Sequence, residues 1–195
     1  MSRMSRTGNV KRTTKETDIA VALNLDGGDV TIDSGIGFLD HMLTALGVHG
    51  GFGLTVTCKG DLQVDGHHSA EDIGIALGQA FAQAVGDKKG IARYGSFYIP
   101  MDEALAFCSL DISGRPFLVF QAEFLQWRCG DFDCCLTEEF FRAFAMNAGV
   151  TLHIQSLYGK NSHHIIEAIF KAVAHALRAA VKLEYDGTLS TKGVL

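Results

Sequence analysis

Two segments of this chain carry the same unusual arrangement. DGHHSAEDIGIALGQAFAQAVG begins at residue 65 and NSHHIIEAIFKAVAHALRAA at residue 161. Each has two adjacent histidines, a glutamate three residues after the second, and then an alanine-rich apolar run. Composition alone would give one HHxxE match in roughly one chain of a hundred, so two at matching places point to an internal repeat. The surrounding sequence agrees. Residues 18–26 alternate apolar and polar, as a half-buried strand does. A Gly-Gly-Asp turn leads to a second strand in VTIDSG, a helix in GFLDHMLTALGVHGG, a strand in LTVTCKGD and the first HHxxE helix. The second half gives strands in EALAFCSLDISG and PFLVFQAEFL, a helix in TEEFFRAFAMNAGV opened by Thr137 and Glu138, a strand in TLHIQSL and the second HHxxE helix. The expected fold class is therefore α/β (α+β), a duplicated strand-strand-helix-strand-helix unit. Its helices cover one side of a continuous sheet or of two abutting sheets. A single domain over 1–195 is expected, with repeats at about 12–86 and 92–182, a junction at 86–95 and a C-terminal tail at 183–195.

The histidine pairs have a geometric meaning. Successive helical residues turn by about 100°. In HHxxE the glutamate lies one turn above the first histidine and also near the second, while the two imidazoles diverge. One helix start can thus feed two metal ions, and the spacing leaves open which ion each glutamate serves. His67, His68 and Glu71 form the first set, and His163, His164 and Glu167 the second. His153, which interrupts the apolar pattern of TLHIQSL, and His41, on an otherwise apolar helix, are placed to join them. His49 and His175 are expected to lie outside the site. Imidazole and carboxylate without thiolate suit Mn, Fe, Co, Ni or Zn, and a catalytic site needs open positions, which six-coordinate Mn(II) or Fe(II) provides.

Other classes are excluded by composition. A net charge of −5 gives no general attraction to nucleic acid or to an anionic membrane surface. No apolar run reaches the roughly 18 residues of a membrane span. The basic N-terminus lacks a secretory apolar stretch. Five cysteines with no CxxC pair argue against a disulfide framework, so reduced thiols and a cytoplasmic location are expected.

GIGFLDHM, DGHHSAEDIGIALGQ, IARYGSFYIPMDEALA, DISGRPF, EEFFRAFAMNAGVTLHI, SHHIIEAIFKA and STKG together resemble the imidazoleglycerol-phosphate dehydratases, manganese-dependent lyases of histidine biosynthesis. The resemblance runs from about residue 12 to 195. It implies two sheets with helices on one face of each, a cage of twenty-four copies with octahedral symmetry, and active sites between subunits that each hold two Mn(2+) ions. It makes His41, His67, His68, Glu71, His153, His163, His164 and Glu167 metal ligands. Arg93, Arg115, Lys171, Ser190, Thr191 and Lys192 correspond to positions that hold the substrate phosphate. Glu16 and Asp102 correspond to acidic positions near the reacting carbons. The implied reaction removes water from imidazole glycerol phosphate to give imidazole acetol phosphate, by way of a metal-bound imidazolate, with Glu16 or a metal-bound hydroxide as base. From the residues themselves, Arg93 and Arg115 stand in glycine-containing turns from which they can reach out, and Lys171 follows Glu167 by one helical turn. The chain departs from the family pattern at Gly66, at Cys134 and Cys135, and at Leu189, which is expected to free the tail until ligand binds. A metal-storage cage would use the same histidines but not the phosphate-directed cations. A dinuclear hydrolase would bridge its metals with aspartates, which these motifs lack.

Overall fold

The computed structural model describes residues 6–193. Alternation in the sequence becomes alternation of faces. β2 (Thr17–Asn24) buries Thr17, Ile19, Val21 and Leu23, and β6 (Ala104–Asp111) buries Ala104, Ala106, Cys108 and Leu110. β1 (Thr7–Thr13), β2, β3 (Val30–Asp33) and β4 (Gly53–Gly60) form one four-stranded sheet in the order β1-β2-β4-β3. β5 (Tyr94–Met101), β6, β7 (Phe117–Gln121) and β10 (Thr151–Tyr158) form a second in the order β5-β6-β10-β7. Pairing senses also repeat: the third strand of each half runs parallel to its neighbour and the others are antiparallel.

The helices are α1 (Gly37–Gly50), α2 (His67–Val85), α3 (Leu136–Ala148) and α4 (Ser162–Ala180). α2 lies on β1 and β2, and α4 on β5 and β6. Across the halves, α2 packs on α3 and α1 on α4. The helices are thus a shared layer between two separate sheets, not a cover on one continuous sheet. α2 and α3 approach closely because Gly74 and Gly78 face the Phe140 and Phe144 carbonyls, which a Cβ at either glycine would meet at 2.6 Å.

Each half contains one strand more than the sequence pattern predicts. β1 and β5 precede the expected pair, β1 in the basic N-terminus and β5 running from the end of the expected junction through a stretch where the sequence pattern predicts no element. β1 shows no apolar alternation: only Gly8 and the half-buried Val10 and Arg12 turn inward. Its place is set by contact with a helix. A Cβ at Gly8 would lie 1.9 Å from the Ala80 carbonyl oxygen, and one at Gly95 would lie 2.0 Å from that of Ala176. The duplicated glycine lets each edge strand touch the backbone of its helix. A further hairpin, β8 (Arg128–Cys129) with β9 (Phe132–Asp133), occupies the loop before α3. Thr137 and Glu138 fall in the first turn of α3 as expected; the helix starts at Leu136 after Cys135, and the Thr137 hydroxyl is buried without a hydrogen-bond partner.

Gly95→Ala should force α4 off β5 and cost about 1–3 kcal/mol through overpacking. Chemical denaturation measures this; an unchanged midpoint would mean that strand and helix are not in contact.

Candidate active site at the helix starts

His41 on α1 and His163 at the first turn of α4 converge on one carboxylate. Their Nε2 atoms lie 3.4 and 3.2 Å from Glu167 Oε2. The donor atoms of these three residues all fall within 4.8 Å of one another, as a single metal ion requires. The other oxygen of Glu167 receives the Lys171 ammonium at 2.6 Å. Glu167 is buried, and burial alone would raise its pKa. The bond to Lys171 and the proximity of His41 outweigh burial and hold the pKa below its usual value, so the carboxylate stays ionised.

The second histidine of each pair turns away from the first. The ring planes of His67 and His68 meet at 86°, those of His163 and His164 at 81°. His68 Nδ1 lies 3.0 Å from Asp61, and His164 Nδ1 lies 2.7 Å from Glu103. An ionised carboxylate only accepts, so each Nδ1 carries the proton and each Nε2 keeps its lone pair for a metal. Both histidines have raised pKa values, chiefly through these bonds. Glu103 is pulled down to about 2, first by His164 and then by the Asn161 and Lys160 amides. Asp61 and Glu103 were not singled out in the sequence, where they lie 7 and 61 residues from the histidines they orient. At both helix starts a side chain accepts from the amide of the first histidine, Asp65 from His67 at 2.8 Å and Asn161 from His163 at 2.9 Å; Asn161 is the N-cap of α4, whereas Asp65 stands one residue before Gly66, the N-cap of α2.

Glu16 and Asp102 occupy equivalent turns, β1–β2 and β5–β6. Glu16 Oε1 is 3.8 Å from His68 Nε2, and Asp102 Oδ2 is 3.7 Å from His164 Nε2. The Glu16 turn is docked by buried Asp72 on α2, which accepts from Arg12 Nε at 2.9 Å and from Thr17 Oγ1 at 2.6 Å.

Most of the residues expected to hold a phosphate gather elsewhere. Arg93, Arg115, Ser190, Thr191 and Lys192 line a cavity of about 740 Å³. Arg93 does not reach outward as its turn suggested. It is buried, donating from Nε and Nη2 to Asp111 at 2.6 and 3.0 Å. Its Nη1 donates to the Leu189 carbonyl at 2.6 Å, which ties the tail to the cavity. The tail is also held by backbone bonds between Gly90 and Glu184, Tyr185 and Gly187. Arg115 is exposed, with Nη2 3.4 Å from the same Asp111 carboxylate. Lys171 lies against Glu167, one helical turn away as its spacing implies, and is not among the residues lining this cavity.

Not every expected ligand joins a cluster within one chain. His153 is exposed on the sheet face away from α4, and its strand runs five more residues, roughly 16 Å, before turning toward that helix. His67 and Glu71 stand half-buried at the start of α2. Among the described residues, His41, His163 and Glu167 are the one group of three within metal-binding reach. His49 and His175 pack together at 5.5 Å between α1 and α4, and burial lowers both pKa values.

The family model described as imidazoleglycerol-phosphate dehydratase matches residues 34–177. The chain belongs to the imidazoleglycerol-phosphate dehydratase family. It is 55% identical over 193 residues to the imidazoleglycerol-phosphate dehydratase of Clostridium kluyveri, covering 97% of this chain and 100% of the relative. It is 56% identical over 194 residues to that of Methylorubrum extorquens, with 97% and 100% covered. The crystal structure of the Staphylococcus aureus imidazoleglycerol-phosphate dehydratase superposes with a TM-score of 0.83 at 44% identity, covering 91% of this chain and 99% of that one. The Pyrococcus furiosus enzyme, in complex with (S)-C348, gives 0.84 at 41%, covering 95% and 100%. Where this chain departs from the family pattern, Gly66 caps α2 with no side chain in the way: a Cβ there would lie 3.0 Å from Ile36 Cδ1 and 3.3 Å from Leu136 Cδ1.

Two outcomes are expected. Glu103→Ala frees the His164 ring and should weaken Mn(II) binding about 10- to 100-fold, measured by calorimetry. Because His68 and His164 have raised pKa values, protons compete for them from above the ordinary imidazole range. Mn(II) affinity should therefore fall continuously from about pH 8 to about 5.5. A flat profile would exclude these imidazoles as ligands.

Proposed function

We propose that this chain dehydrates imidazole glycerol phosphate to imidazole acetol phosphate in histidine biosynthesis, in the cytoplasm, using two Mn(2+) ions per site. The observation that carries this reading is the donor set: one histidine–histidine–glutamate cluster from both halves, and two further histidines with Nε2 free beside a carboxylate. Those atoms match what divalent manganese takes from a protein, nitrogen and hard oxygen with no sulfur. His41, His163 and Glu167 would hold one ion, with His67, His68, Glu71, His153 and His164 completing the pair. The ions would supply Lewis-acid polarisation of the substrate's imidazole ring.

The chain's own residues do the rest. Arg115, Arg93, Ser190, Thr191 and Lys192 bind the phosphate and fix the three-carbon chain relative to the ring. Asp111 keeps the two arginines together and prevents their mutual repulsion when no substrate is bound. Glu16, beside His68, takes the weakly acidic proton from the carbon attached to the ring. Asp102, beside His164, holds a proton at the substrate hydroxyls. Lys171 keeps Glu167 ionised at the metal end. His153 is exposed on the face of β10 opposite the buried Leu152 and Ile154, away from the second histidine pair of the same chain, so the reading includes sites shared between copies in a closed homo-oligomer, the octahedral twenty-four-mer that the family resemblance implies.

Steady-state kinetics on imidazole glycerol phosphate with metal analysis test the assignments. Arg115→Ala should raise KM by the equivalent of about 2–4 kcal/mol, with manganese content unchanged. Remote phosphate binding also positions the reacting carbons, so kcat should fall with it. His164→Ala should lose metal and nearly all turnover. Wild-type KM and kcat in Arg115→Ala would remove the phosphate role, and absence of the ketone product from the manganese-loaded wild type would remove the whole reading.

A further inference from the structure

The β8–β9 hairpin holds two of the five cysteines in one register relation. Arg128 pairs with Asp133 and Cys129 with Phe132, so Cys134, two residues beyond Phe132, lies diagonal to Cys129 on the same face. Both side chains turn into the protein, and their sulfurs are 3.7 Å apart. Cys58 and Cys108 belong to separate sheets, and Cys135 is exposed. All five are free thiols.

This hairpin is tied to the starts of two helices. The Gly37 amide at the head of α1 donates to Asp131 at its tip, at 3.2 Å. On the α4 side, Gln126 and Ser162 share three hydrogen bonds of 2.7 to 3.0 Å. Phe132 stacks on Phe38 at 5.5 Å, and Phe38 touches the His163 ring at 5.0 Å. Cys129 also lines a cavity of about 720 Å³ together with His163 and His164, a space large enough for a small oxidant to enter beside the hairpin.

We propose that Cys129 and Cys134 are a reversible redox modification site, converted by a peroxide into a disulfide within the hairpin. The Cys129 thiolate attacks a peroxide oxygen; the O–O bond breaks, a sulfenic acid forms, and with a proton the leaving hydroxide becomes water. The Cys134 sulfur then attacks that sulfur, the S–S bond forms, and the sulfenic oxygen departs as a second water. Two thiols and one hydrogen peroxide give one disulfide and two waters: the sulfurs are oxidised and the peroxide is reduced. A small thiol reverses the step by exchange. Burial raises both thiols, Cys134 to about 12, so thiolate is scarce at neutral pH and the pair stays reduced until peroxide persists. Closing the bond cross-links the strand pair that anchors the starts of α1 and α4.

The full-length protein, first reduced, is exposed to hydrogen peroxide, unfolded, alkylated with iodoacetamide and cut with trypsin. Trypsin releases residues 129–142 as one peptide containing all three neighbouring cysteines. Mass spectrometry should show a bridge between Cys129 and Cys134, a loss of two hydrogens, and one alkyl group on Cys135. Treatment with dithiothreitol before alkylation should give three alkyl groups. In Cys135→Ser the same bridge should form and the peptide should take up none. Alkylation of both Cys129 and Cys134 after peroxide, their separate oxidation to sulfinic acids, or a bridge engaging Cys135 would overturn the proposal.

Discussion

A single buried carboxylate joins the two halves of this protein. Glu167 receives His41 from the first half and His163 from the second on one oxygen, and Lys171 on the other. An ionised carboxylate in the interior is costly unless it is paired, and losing one partner of such a group is far worse than never having built it. The packing of α1 on α4 is therefore tied to a charged contact with specific geometry, and the helix starts cannot slide without breaking it. That register brings the Phe38 ring against His163 and seats the β8–β9 hairpin over both helices.

Sheet geometry supplies the second constraint. The turn after the first strand of each half carries an acid, Glu16 or Asp102, and hangs it beside the second histidine of an HHxxE pair. The equivalence follows from the common strand order of the two sheets. It is maintained by close contact, glycine against helix carbonyl, at Gly8 and again at Gly95. Duplication thus yields two half-sites of the same construction at the starts of α2 and α4.

Much of this was legible in the sequence because the signals were periodic and local. Divergence of the paired imidazoles follows from the helical turn, and the rings stand nearly perpendicular in both motifs. His41 stood out because it interrupts an apolar helix pattern, and it does meet Glu167. The strands β1 and β5 were not legible, since what fixes them is the absence of a side chain at one position and not a run of apolar residues. Asp61, Glu103 and Asp111 were missed for a related reason. Each works by reaching a partner brought near by folding, and an acid in a loop looks the same whether it is solvated or orienting a ring. Arg93 lies inward and not outward, because the Asp111 carboxylate, brought beside its turn only by folding, pairs with it.

His153 is the residue on which the account turns. It sits on the outer face of the second sheet, while α4 and its histidines lie on the inner one, so within one chain the two cannot serve a common ion. If both are ligands, sites are built between copies, and a chain damaged in one should complement a chain damaged in the other. The direct measurement is turnover of imidazole glycerol phosphate by His153→Ala and His163→Ala proteins, separately and after co-assembly in equal amounts with manganese. Each variant alone should be inactive, and the mixed assembly should recover about a quarter of wild-type turnover, the chance that a shared site draws both intact residues. A mixture as inactive as its parts, or full activity in His153→Ala alone, would contradict it.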